Sequence, residues 1–388
     1  MPILSMEDVD LTGKKILIRE DFNVPVKGGS VISDARITAA LPTILAALNS
    51  GSQVILMSHL GRPVAGSFNA DYSLAPVAAG LSKLLGINVP LISDWLDGFE
   101  ANDQLVLLEN VRFMVGETDN DKNLAQKMAS LCDVFILDAF ATAHRNDASV
   151  CGVADYAPIA CAGKLLLAEI NSLNKIMQTS EHPKVAIVGG AKVSTKIHLL
   201  ESLISKVDVL LLGGGIANTF LACHGYDVGN SIYEEDLLDE AERLIHYAQT
   251  CKVTMPIVED VLVHDITTNS TSVRVCNDVA HGERIIDIGP DTVQQWSQFI
   301  TTAKTILWNG PVGAFEIEEF ASGTKAIANA VANSKAFVVA GGGDTVAAIE
   351  KFNIAANIDY ISTGGGAFLA FLEGKTLPAI AALERAYI

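Results

Sequence analysis

Residues 185–218 read VAIVGGAKVSTKIHLLESLISKVDVLLLGGGIAN, and this stretch decides the fold. Its apolar runs Val185–Gly189 and Val209–Gly213 lack the polar alternation of a strand with one face in water, so they predict strands buried on both faces. Between them, Thr195–Lys206 has the apolar spacing of a helix. A strand, a helix and a second strand of this kind predict a βαβ unit with parallel strands.

The same alternation continues along all 388 residues. Further predicted strands are Lys15–Arg19, Gln53–Ser58, Leu105–Glu109, Val134–Asp138, Thr305–Asn309, Ala336–Ala340 and Tyr360–Thr363. Further predicted helices are Pro42–Asn49, Ala75–Leu85, Asn123–Leu131 and Glu234–Thr250. Because a chain of this length usually exceeds a single core, we predict an α/β fold with two doubly wound, Rossmann-like parallel-sheet domains.

The helical pattern of Gly163–Ser180, with Pro183 just beyond it, is typical of a connector between two domains. We therefore predict a first domain over residues 1–165 and a second over residues 166–375. A hinge helix joins them, and we expect the tail 376–388 to pack back on the first domain.

The charge balance limits the possible partners. The chain has 27 Lys and Arg against 45 Asp and Glu, a net charge of −18, which argues against nucleic acid and anionic membranes. Its six cysteines include no CxxC pair, no 18-residue apolar run occurs, and the N-terminal residues do not resemble a signal peptide. These features predict a cytoplasmic protein with reduced thiols.

Arginine placement indicates an anionic ligand. The five arginines of the first 242 residues all lie at predicted strand ends or in loops; they are Arg19, Arg36, Arg62, Arg112 and Arg145. A guanidinium fork suits an anion with several oxygens, such as a phosphorylated carboxylic acid, and the C-terminal ends of parallel strands are where open α/β sheets bind ligands. Separate salt bridges in an acidic protein remain the alternative for any one of them.

In the second half the predicted strand ends carry glycine instead. The turns are VGGAK (188–192), LGGGIAN (212–218), WNGPVGAF (308–315), AGGGDT (340–345) and STGGGAF (362–368). Backbone N–H groups at such turns approach phosphate oxygens closely, so five of them favour a nucleotide cleft over simple tight turns. No G-x-G-x-x-G follows the first strand of either half, which disfavours a dinucleotide site, and Gly374-Lys375-Thr376 matches only the end of a P-loop.

Three charged residues beside these turns suit a metal-bound polyphosphate. Lys192 and Lys196 are four residues apart, which predicts one helix face, and two cations near a helix N-terminus are unfavourable unless an anion neutralises them. Asp344 follows a glycine turn and is the candidate Mg²⁺ ligand. The alternatives are solvated lysines and, for Asp344, an ordinary helix cap together with Thr345.

Read together and in order, these motifs resemble the phosphoglycerate kinase family over essentially the full length, most closely its compact bacterial members. The motifs are REDFNVP (19–25), DARI (34–37), SHLGRP (58–63), LENVRF (108–113), DAFATAHR (138–145), VGGAKVSTK (188–196), GGGIANTF (213–220), WNGPVG (308–313), GGGDT (341–345) and STGGGA (362–367). The resemblance implies a monomeric glycolytic kinase that moves a phosphoryl group reversibly from 1,3-bisphosphoglycerate to Mg-ADP, giving 3-phosphoglycerate and Mg-ATP. It also implies closure of the two domains by hinge bending.

The resemblance assigns the glycerate ligand to the first domain and the nucleotide to the second. The implied glycerate ligands are Asp21, Phe22, Asn23, Arg36, His59, Leu60, Gly61, Arg62, Arg112 and Arg145. The implied nucleotide ligands are Lys192, Lys196, Gly214, Glu316, Gly342, Gly343, Asp344 and Thr345, with Asp344 on Mg²⁺. Arg36, Lys192, Gly365 and Gly366 would meet the transferring group. Without the resemblance, Glu316 reads as a solvated residue of an acidic run.

Some positions depart from the usual family pattern. Glu20 stands in place of a small apolar residue, Ala141 in place of glycine, and Asp147 lies two residues from Arg145 and is expected to weaken its positive field. Two other functions stay open at this point: another acid-phosphate transferase on a similar scaffold, and a nucleotide-responsive binding protein without turnover. The presence of Arg36 and Lys192 counts against the binding protein, which has no need of charges from both domains.

Overall fold

The computed structural model describes residues 3–100 and 102–387, which form two compact units. The first runs to Asn171 and includes the segment from Thr376 onward, and the second is Ser172–Lys375. Each unit contains one all-parallel sheet with helices, which confirms the predicted α/β class. None of the described helices has the length and apolar run needed to cross a membrane.

The sheet of the first unit has six strands in the order β5-β6-β4-β1-β7-β8. The strands of this unit are β1 (Lys15–Arg19), β2 (Val26–Lys27), β3 (Ser30–Val31), β4 (Gln53–Met57), β5 (Leu91–Ile92), β6 (Leu105–Leu108), β7 (Val134–Leu137) and β8 (Ala160–Ala162), of which β2 and β3 form a separate hairpin. Arg19 is in register with both Met57 and Leu137. The three central strands therefore end at one edge, where the loops after them begin.

The helices of this unit are α1 (Ala35–Asn49), α2 (Ala75–Leu85), α3 (Lys122–Ala129), α4 (Val153–Tyr156) and α5 (Lys164–Gln178). The predicted start of α1 at Pro42 is wrong, because the helix begins seven residues earlier and Pro42 lies inside it. Ile37, Ala40 and Ile44 bury one face of α1, and this packing outweighs the cost of an internal proline, about 3 kcal/mol. The boundary between the two units falls within α5.

The sheet of the second unit has the order β10-β9-β14-β15-β16, and a three-stranded antiparallel sheet has the order β12-β11-β13. The strands are β9 (Lys184–Val188), β10 (Val209–Leu212), β11 (Asp260–Asp265), β12 (Ser270–Val275), β13 (Glu283–Ile288), β14 (Thr305–Asn309), β15 (Phe337–Gly341) and β16 (Tyr360–Ser362). In the parallel sheet Val188 is in register with Leu212 and Asn309, so the glycine turns that follow these strands share one edge.

The helices of the second unit are α6 (Ile197–Ile204), α7 (Gly214–Cys223), α8 (Leu238–Cys251), α9 (Pro290–Thr302), α10 (Ser322–Ala332), α11 (Gly343–Lys351) and α12 (Gly366–Leu372). The last helix, α13 (Pro378–Ala386), belongs to the first unit, where the Ala379 N–H donates to the Ala143 carbonyl at 3.2 Å and Arg385 pairs with Asp155.

Candidate active site

A cluster of basic residues surrounds His59 at the strand-end edge of the first sheet. His59 is buried, with Arg19 Nη2 3.2 Å from its Nδ1 and Arg145 Nη1 3.1 Å from its Nε2. Burial, followed by the charges of Arg19, Arg112, Arg145 and Arg36, holds the pKa of His59 well below its usual range. The imidazole is therefore neutral at physiological pH, and the four arginines leave the surrounding field positive. We call Arg19, Arg36, His59, Arg112 and Arg145 the basic cluster.

Arg36 enters this cluster from the first turn of α1, where its guanidinium donates to Asp21 Oδ2. Asp21 Oδ1 accepts from the Asn23 N–H, and Asn23 Oδ1 accepts from the Gly61 N–H at 2.9 Å. Hydrogen bonds of Asn23 thus join the loops 19–25 and 58–63, both of which the family resemblance assigns to the glycerate ligand. Phe22, by contrast, is completely buried and Leu60 nearly so, so these two side chains support the loops from the core.

Gly61 is the residue on which this loop depends. Its φ is +61°, and a Cβ there would lie 2.4 Å from the Tyr72 ring. The Gly61 carbonyl accepts from Arg112 Nη1 at 2.7 Å, which fixes half-buried Arg112 against the same loop. Only glycine fits this backbone conformation and this space.

Arg62 and Arg145 differ in how firmly they are held. Arg62 is exposed and forms no ion pair or hydrogen bond with any residue among 3–100 and 102–387. Arg145 lies half-buried against His59. Asp147, whose sequence position predicted a weaker field at Arg145, is buried, and its charge acts on Arg19 and Arg112. Arg62 is thus a cation without a partner in the described chain.

A cavity of about 430 Å³ opens at the strand-end edge of the second sheet. Its walls combine glycine turns with the strand β13 and the loop after β14. Among the predicted residues, Gly214, Glu316 and Asp344 line it. Asn218, Pro311 and Val312 line it from the quoted turns, and so do Ile232, Arg284 and Ile286, which the sequence did not single out. We call this space the glycine-lined cavity.

The turns around this cavity pack backbone against backbone. A Cβ at Gly189 would lie 1.8 Å from the Pro311 carbonyl oxygen, and one at Gly213 would lie 2.4 Å from the Val312 Cα. Gly214 has φ +66° at the start of α7. These glycines are required by the close approach of the turns, and the start of α7 is held there by hydrogen bonds from the Gly214 N–H to the Val312 carbonyl at 2.8 Å and from the Ile216 N–H to the Gly190 carbonyl at 3.1 Å.

The prediction that Lys192 and Lys196 share a helix face is wrong. Lys192 precedes a 3₁₀ turn at Val193–Thr195, and Lys196 lies between that turn and α6. Lys192 is exposed, whereas Lys196 Nζ donates to the Gly189 carbonyl, the Asn309 carbonyl and Asn309 Oδ1 at 2.7, 3.0 and 2.6 Å. Burial lowers the pKa of Lys196 to about 8, and Asp344 opposes this shift.

Gly342, Gly343, Asp344 and Thr345 form the start of α11. Gly342 has φ +101° and precedes the helix, Gly343 and Asp344 are exposed, and buried Thr345 accepts from the Gly310 N–H at 2.7 Å. The alternative that Asp344 caps α11 fails, because Gly342 is the capping residue. Asp344 therefore keeps a carboxylate free to face the cavity.

Mg²⁺ fits this position as an ion held by one carboxylate together with phosphate oxygens and water, which is its usual arrangement beside nucleotides. Within residues 3–100 and 102–387 no group of three or more His, Cys, Asp or Glu side chains is placed to hold a metal ion. The described residues thus offer Asp344 as a ligand beside the glycine turn and no complete metal cage.

Gly365 and Gly366 lie at the exposed start of α12, where Gly365 has φ +48°. They are not among the residues that line the glycine-lined cavity. Glu316 lines the cavity but is exposed, and its backbone carbonyl accepts from Lys351 Nζ.

Residues 6–375 match the family described as phosphoglycerate kinase. The chain belongs to the phosphoglycerate kinase family. The phosphoglycerate kinase from Coxiella burnetii has a similar structure, with a TM-score of 0.95 and 50% identity over 99% of both chains. The phosphoglycerate kinase from Pyrococcus horikoshii OT3 has a TM-score of 0.80 and 32% identity, again over 99% of both chains.

Membership of the phosphoglycerate kinase family fixes the class of reaction. The chain is a phosphotransferase of glycolysis with a carboxyl group as acceptor, and its substrates are a phosphoglycerate and an adenine nucleotide. The basic cluster and the glycine-lined cavity are the features of the two units that suit these two kinds of anion.

Sequence reasoning missed three parts of these sites. Glu117 and Ser149 support Arg19 from behind, and no periodic pattern in the sequence indicates them. Asn309 lies in the predicted strand and turn, but the sequence did not indicate that it accepts from Lys196. The antiparallel sheet was not predicted, although β13 forms one wall of the cavity. Its strand β12, with the sequence STSVRV, lacks the continuous apolar run that indicated the parallel strands.

Proposed function

We propose that this chain transfers the acyl phosphate of 1,3-bisphosphoglycerate to Mg-ADP, and runs the reverse reaction from 3-phosphoglycerate and Mg-ATP. The observation that carries the proposal is the basic cluster around neutral His59, an uncommon concentration of guanidinium groups in a chain of net charge −18. Such a cluster is stabilised by an anion with several oxygens, and a phosphoglycerate has both a phosphate and a carboxylate.

Within the first unit, Arg62, Arg112, Arg145 and His59 would hold the phosphate of the glycerate. Arg62 has no hydrogen-bond partner in the part of the chain that the structure describes, and Arg112 is oriented by the Gly61 carbonyl. Asp21 and Asn23 would orient the glycerate hydroxyl and carboxylate together with Arg36. Arg36 is 36% exposed, so its guanidinium can reach a ligand without leaving α1.

Within the second unit, the glycine-lined cavity would hold the adenine nucleotide. The turns before α7 and α11 would supply N–H groups for the phosphates, and Glu316 would accept from a ribose hydroxyl. Gly214 would line the site through its backbone without its N–H, which already donates to the Val312 carbonyl. Lys196 already donates three hydrogen bonds to the chain, so it acts on the phosphates mainly as a nearby positive charge. Lys192 is exposed and free to reach the transferring group.

Asp344 would hold Mg²⁺ beside the phosphates, where the ion neutralises part of their negative charge. The protein then has two tasks, to align the reactants and to stabilise charge on the transferring group. The attacking oxygen of 3-phosphoglycerate belongs to a carboxylate that is already ionised near neutral pH, so no general base is required. His59, being neutral, serves as a hydrogen-bond donor rather than as a proton acceptor.

A coupled assay with 3-phosphoglycerate, ATP and Mg²⁺ tests the proposal. We expect turnover that stops when EDTA removes Mg²⁺ and returns when the ion is added in excess. ATP without 3-phosphoglycerate should be hydrolysed at a negligible rate, because the acceptor site is in the other unit. Turnover with a different acid but not with 3-phosphoglycerate would refute the proposal.

We propose in addition that the enzyme is a cytoplasmic monomer and that transfer requires closure of the two domains. Small-angle scattering should show the strongest compaction when both ligands are present. Equal compaction with Mg-ATP alone would refute ligand-dependent closure, and sedimentation of a dimer at micromolar concentration would refute the monomer.

A further inference from the structure

Both ring nitrogens of His59 face arginines, and this arrangement has a chemical consequence. Guanidinium groups only donate hydrogen bonds, whereas a neutral imidazole has one accepting nitrogen and one N–H. Arg19 at Nδ1 and Arg145 at Nε2 therefore cannot both donate to the ring. One of the two contacts is a hydrogen bond, and the other places two donors opposite each other.

Arg19 is the arginine whose position is fixed. It is fully buried, its Nε donates to Ser149 Oγ at 2.9 Å, and its Nη1 donates to the Glu20 carbonyl. If His59 Nδ1 carried the proton, Arg19 Nη2 would lose its acceptor inside the core, which is costly for a charged donor. Arg145 is only half-buried, so its guanidinium can turn to solvent or to a ligand.

Ser149 and Glu117 hold Arg19 from behind. Ser149 lies in a buried π-helical turn, Ala148–Gly152, and its hydroxyl donates to Glu117 Oε1 while its N–H donates to Glu117 Oε2 at 3.0 Å. Because the Ser149 proton points to Glu117, the hydroxyl oxygen is left to accept from Arg19. Glu117 is buried. Three carboxylates offset the cost of burying the Arg19 charge, and Glu117 contributes more than Asp21 or Asp147.

We propose that Glu117, Ser149 and Arg19 form a positioning relay that holds neutral His59 in the tautomer with the proton on Nε2. Nδ1 then accepts from Arg19, and Nε2–H faces Arg145 Nη1 as a second donor. A ligand oxygen at ordinary hydrogen-bond distance from His59 Nε2 and Arg145 Nη1 can accept a hydrogen bond from each of them. The ligand that completes this pair is an anionic oxygen, and under the proposed function it is a phosphate oxygen of the phosphoglycerate.

The other groups facing His59 agree with this tautomer. Asp21 Oδ1, the one carboxylate oxygen near the ring among the described residues, is 4.0 Å from Nδ1 and already accepts from the Asn23 N–H. Arg36 and Arg112 add positive charge near the ring and oppose its protonation. Burial raises the pKa of Glu117 to about 7, and the Arg19 charge opposes that shift, so the relay is strongest above neutral pH.

Nitrogen-15 NMR of the full chain with labelled histidine tests the tautomer directly, and spectra of a His59→Gln variant assign the signals. We expect His59 to show a protonated Nε2 and an unprotonated Nδ1 at pH 7.5. Addition of 3-phosphoglycerate should shift the Nε2–H signal. A protonated Nδ1 in the wild-type protein would overturn the relay, and this result needs no substituted protein other than the one used for assignment.

Two variants then test the relay. In Ser149→Ala, Arg19 loses an acceptor and the oriented hydroxyl disappears, so we expect mixed tautomers and a Kd for 3-phosphoglycerate raised roughly tenfold, or about 1.4 kcal/mol. Glu117→Gln should act in the same direction. The Kd for Mg-ADP should stay at the wild-type value in both variants, a specificity that a general loss of structure would not produce.

Glu20→Gln is the matched control. Glu20 is a buried neighbour of Arg19 whose carboxyl oxygens have no hydrogen-bond partner among the described residues. Burial raises its pKa well above the usual range, so the amide replaces a neutral acid. We expect the wild-type tautomer and affinity in this control. A Ser149→Ala variant that kept both would overturn the relay. A wild type with the expected tautomer that did not respond to 3-phosphoglycerate would support the relay and refute the assignment of the ligand.

Discussion

The first unit builds its anion site from charged side chains, whereas the second builds its site from backbone turns. Arg19, Arg36, Arg112 and Arg145 converge on His59, while the glycine-lined cavity is shaped by contacts such as Gly189 with Pro311. A side-chain site gives directional donors for an acid that carries two anionic groups. A backbone site gives close approach to a chain of phosphates. Removal of charge should therefore damage the first unit, and added side-chain volume should damage the second.

The buried cations of the two units show the same contrast. Arg19 lies among the carboxylates Glu117, Asp21 and Asp147, and an arginine stays charged at any physiological pH. Lys196 donates only to neutral oxygens, and its pKa is about 8 because burial lowers it. The arginine charges of the first site are thus constant, whereas the lysine charge of the second is lost in mildly alkaline solution.

The largest effect is expected from Arg36→Met. The substitution keeps an unbranched apolar stem but removes the positive charge and all five donors. If Arg36 contacts the transferring group, kcat and kcat/KM should fall together by about 10²–10³-fold, the usual cost of one preorganised donor in the transition state.

Arg36→Lys is the control for charge, because it keeps the positive charge and loses only the planar set of guanidinium donors. Steady-state kinetics with both substrates varied and a melting curve separate catalysis from folding. An unchanged kcat with a raised KM for 3-phosphoglycerate would make Arg36 a binding residue only.

A smaller loss is expected from Arg62→Ala. Arg62 has no partner among the described residues, so the melting temperature should not change. Loss of a charge-assisted hydrogen bond should weaken 3-phosphoglycerate binding by about 1.5–3 kcal/mol.

Isothermal titration of each ligand separately measures this effect. Mg-ADP should bind Arg62→Ala as it binds the wild type. The exposed Arg243, which pairs with Glu201 and Glu240 in the second unit, supplies the control Arg243→Ala with both affinities intact. If Arg62→Ala lost the same affinity for both ligands, the assignment of Arg62 to the 3-phosphoglycerate site would be contradicted.

The glycine turns are tested by two adjacent substitutions. At Gly342, with φ +101°, a Cβ would lie 2.8 Å from Asn309 Nδ2, whereas at Gly343 it would meet open space. Gly342→Ala should therefore cost about 1–3 kcal/mol in backbone strain and weaken Mg-ADP binding roughly tenfold, which corresponds to 1.4 kcal/mol. Gly343→Ala should change neither. Equal losses in calorimetric titrations of the two variants would contradict the role of this turn.

The smallest expected effect is a pH dependence of nucleotide binding. Since the folded pKa of Lys196 is about 8 and its ordinary value is 10.5, the charge is lost as pH rises through 8. From pH 7.5 to pH 9 the affinity for Mg-ADP should fall by about threefold, whereas the affinity for 3-phosphoglycerate should not fall, because Glu117 becomes more fully ionised over this range. Lys196→Met should abolish this pH dependence, and a dependence that persists in the variant would assign it to another group.

The lowered pKa of Lys196 also predicts how stability depends on pH: the stability should rise with pH, whereas the nucleotide affinity falls. Between pH 8 and pH 10.5 the unfolded chain binds more protons at Lys196 than the folded chain does. The Lys196 contribution to the free energy of unfolding should therefore rise with pH across this window. A smaller rise in Lys196→Met than in the wild type, measured by urea unfolding at pH 8 and pH 10, is the expected result.

The sequence predicted the parallel strands well, because buried β-type runs such as Lys15–Arg19 and Thr305–Asn309 need no tertiary information. It predicted the convergence of arginines from the rule that parallel strands share an edge. It failed where packing decides local structure, as at Pro42 inside α1 and at Lys196, which lies outside any helix. Ser149 and Glu117 were invisible because their partner, Arg19, lies 130 residues from Ser149 in the chain.

Hydrogen exchange with one ligand at a time tests most directly that the two units bind different substrates. We predict that 3-phosphoglycerate alone slows exchange of the amides in residues 20–23, 58–62 and 110–113 and leaves residues 189–196, 213–219 and 341–346 unchanged. Mg-ADP alone should protect the second group and leave the first unchanged. Protection of the glycine turns by 3-phosphoglycerate, or of the basic cluster by Mg-ADP, would contradict this account.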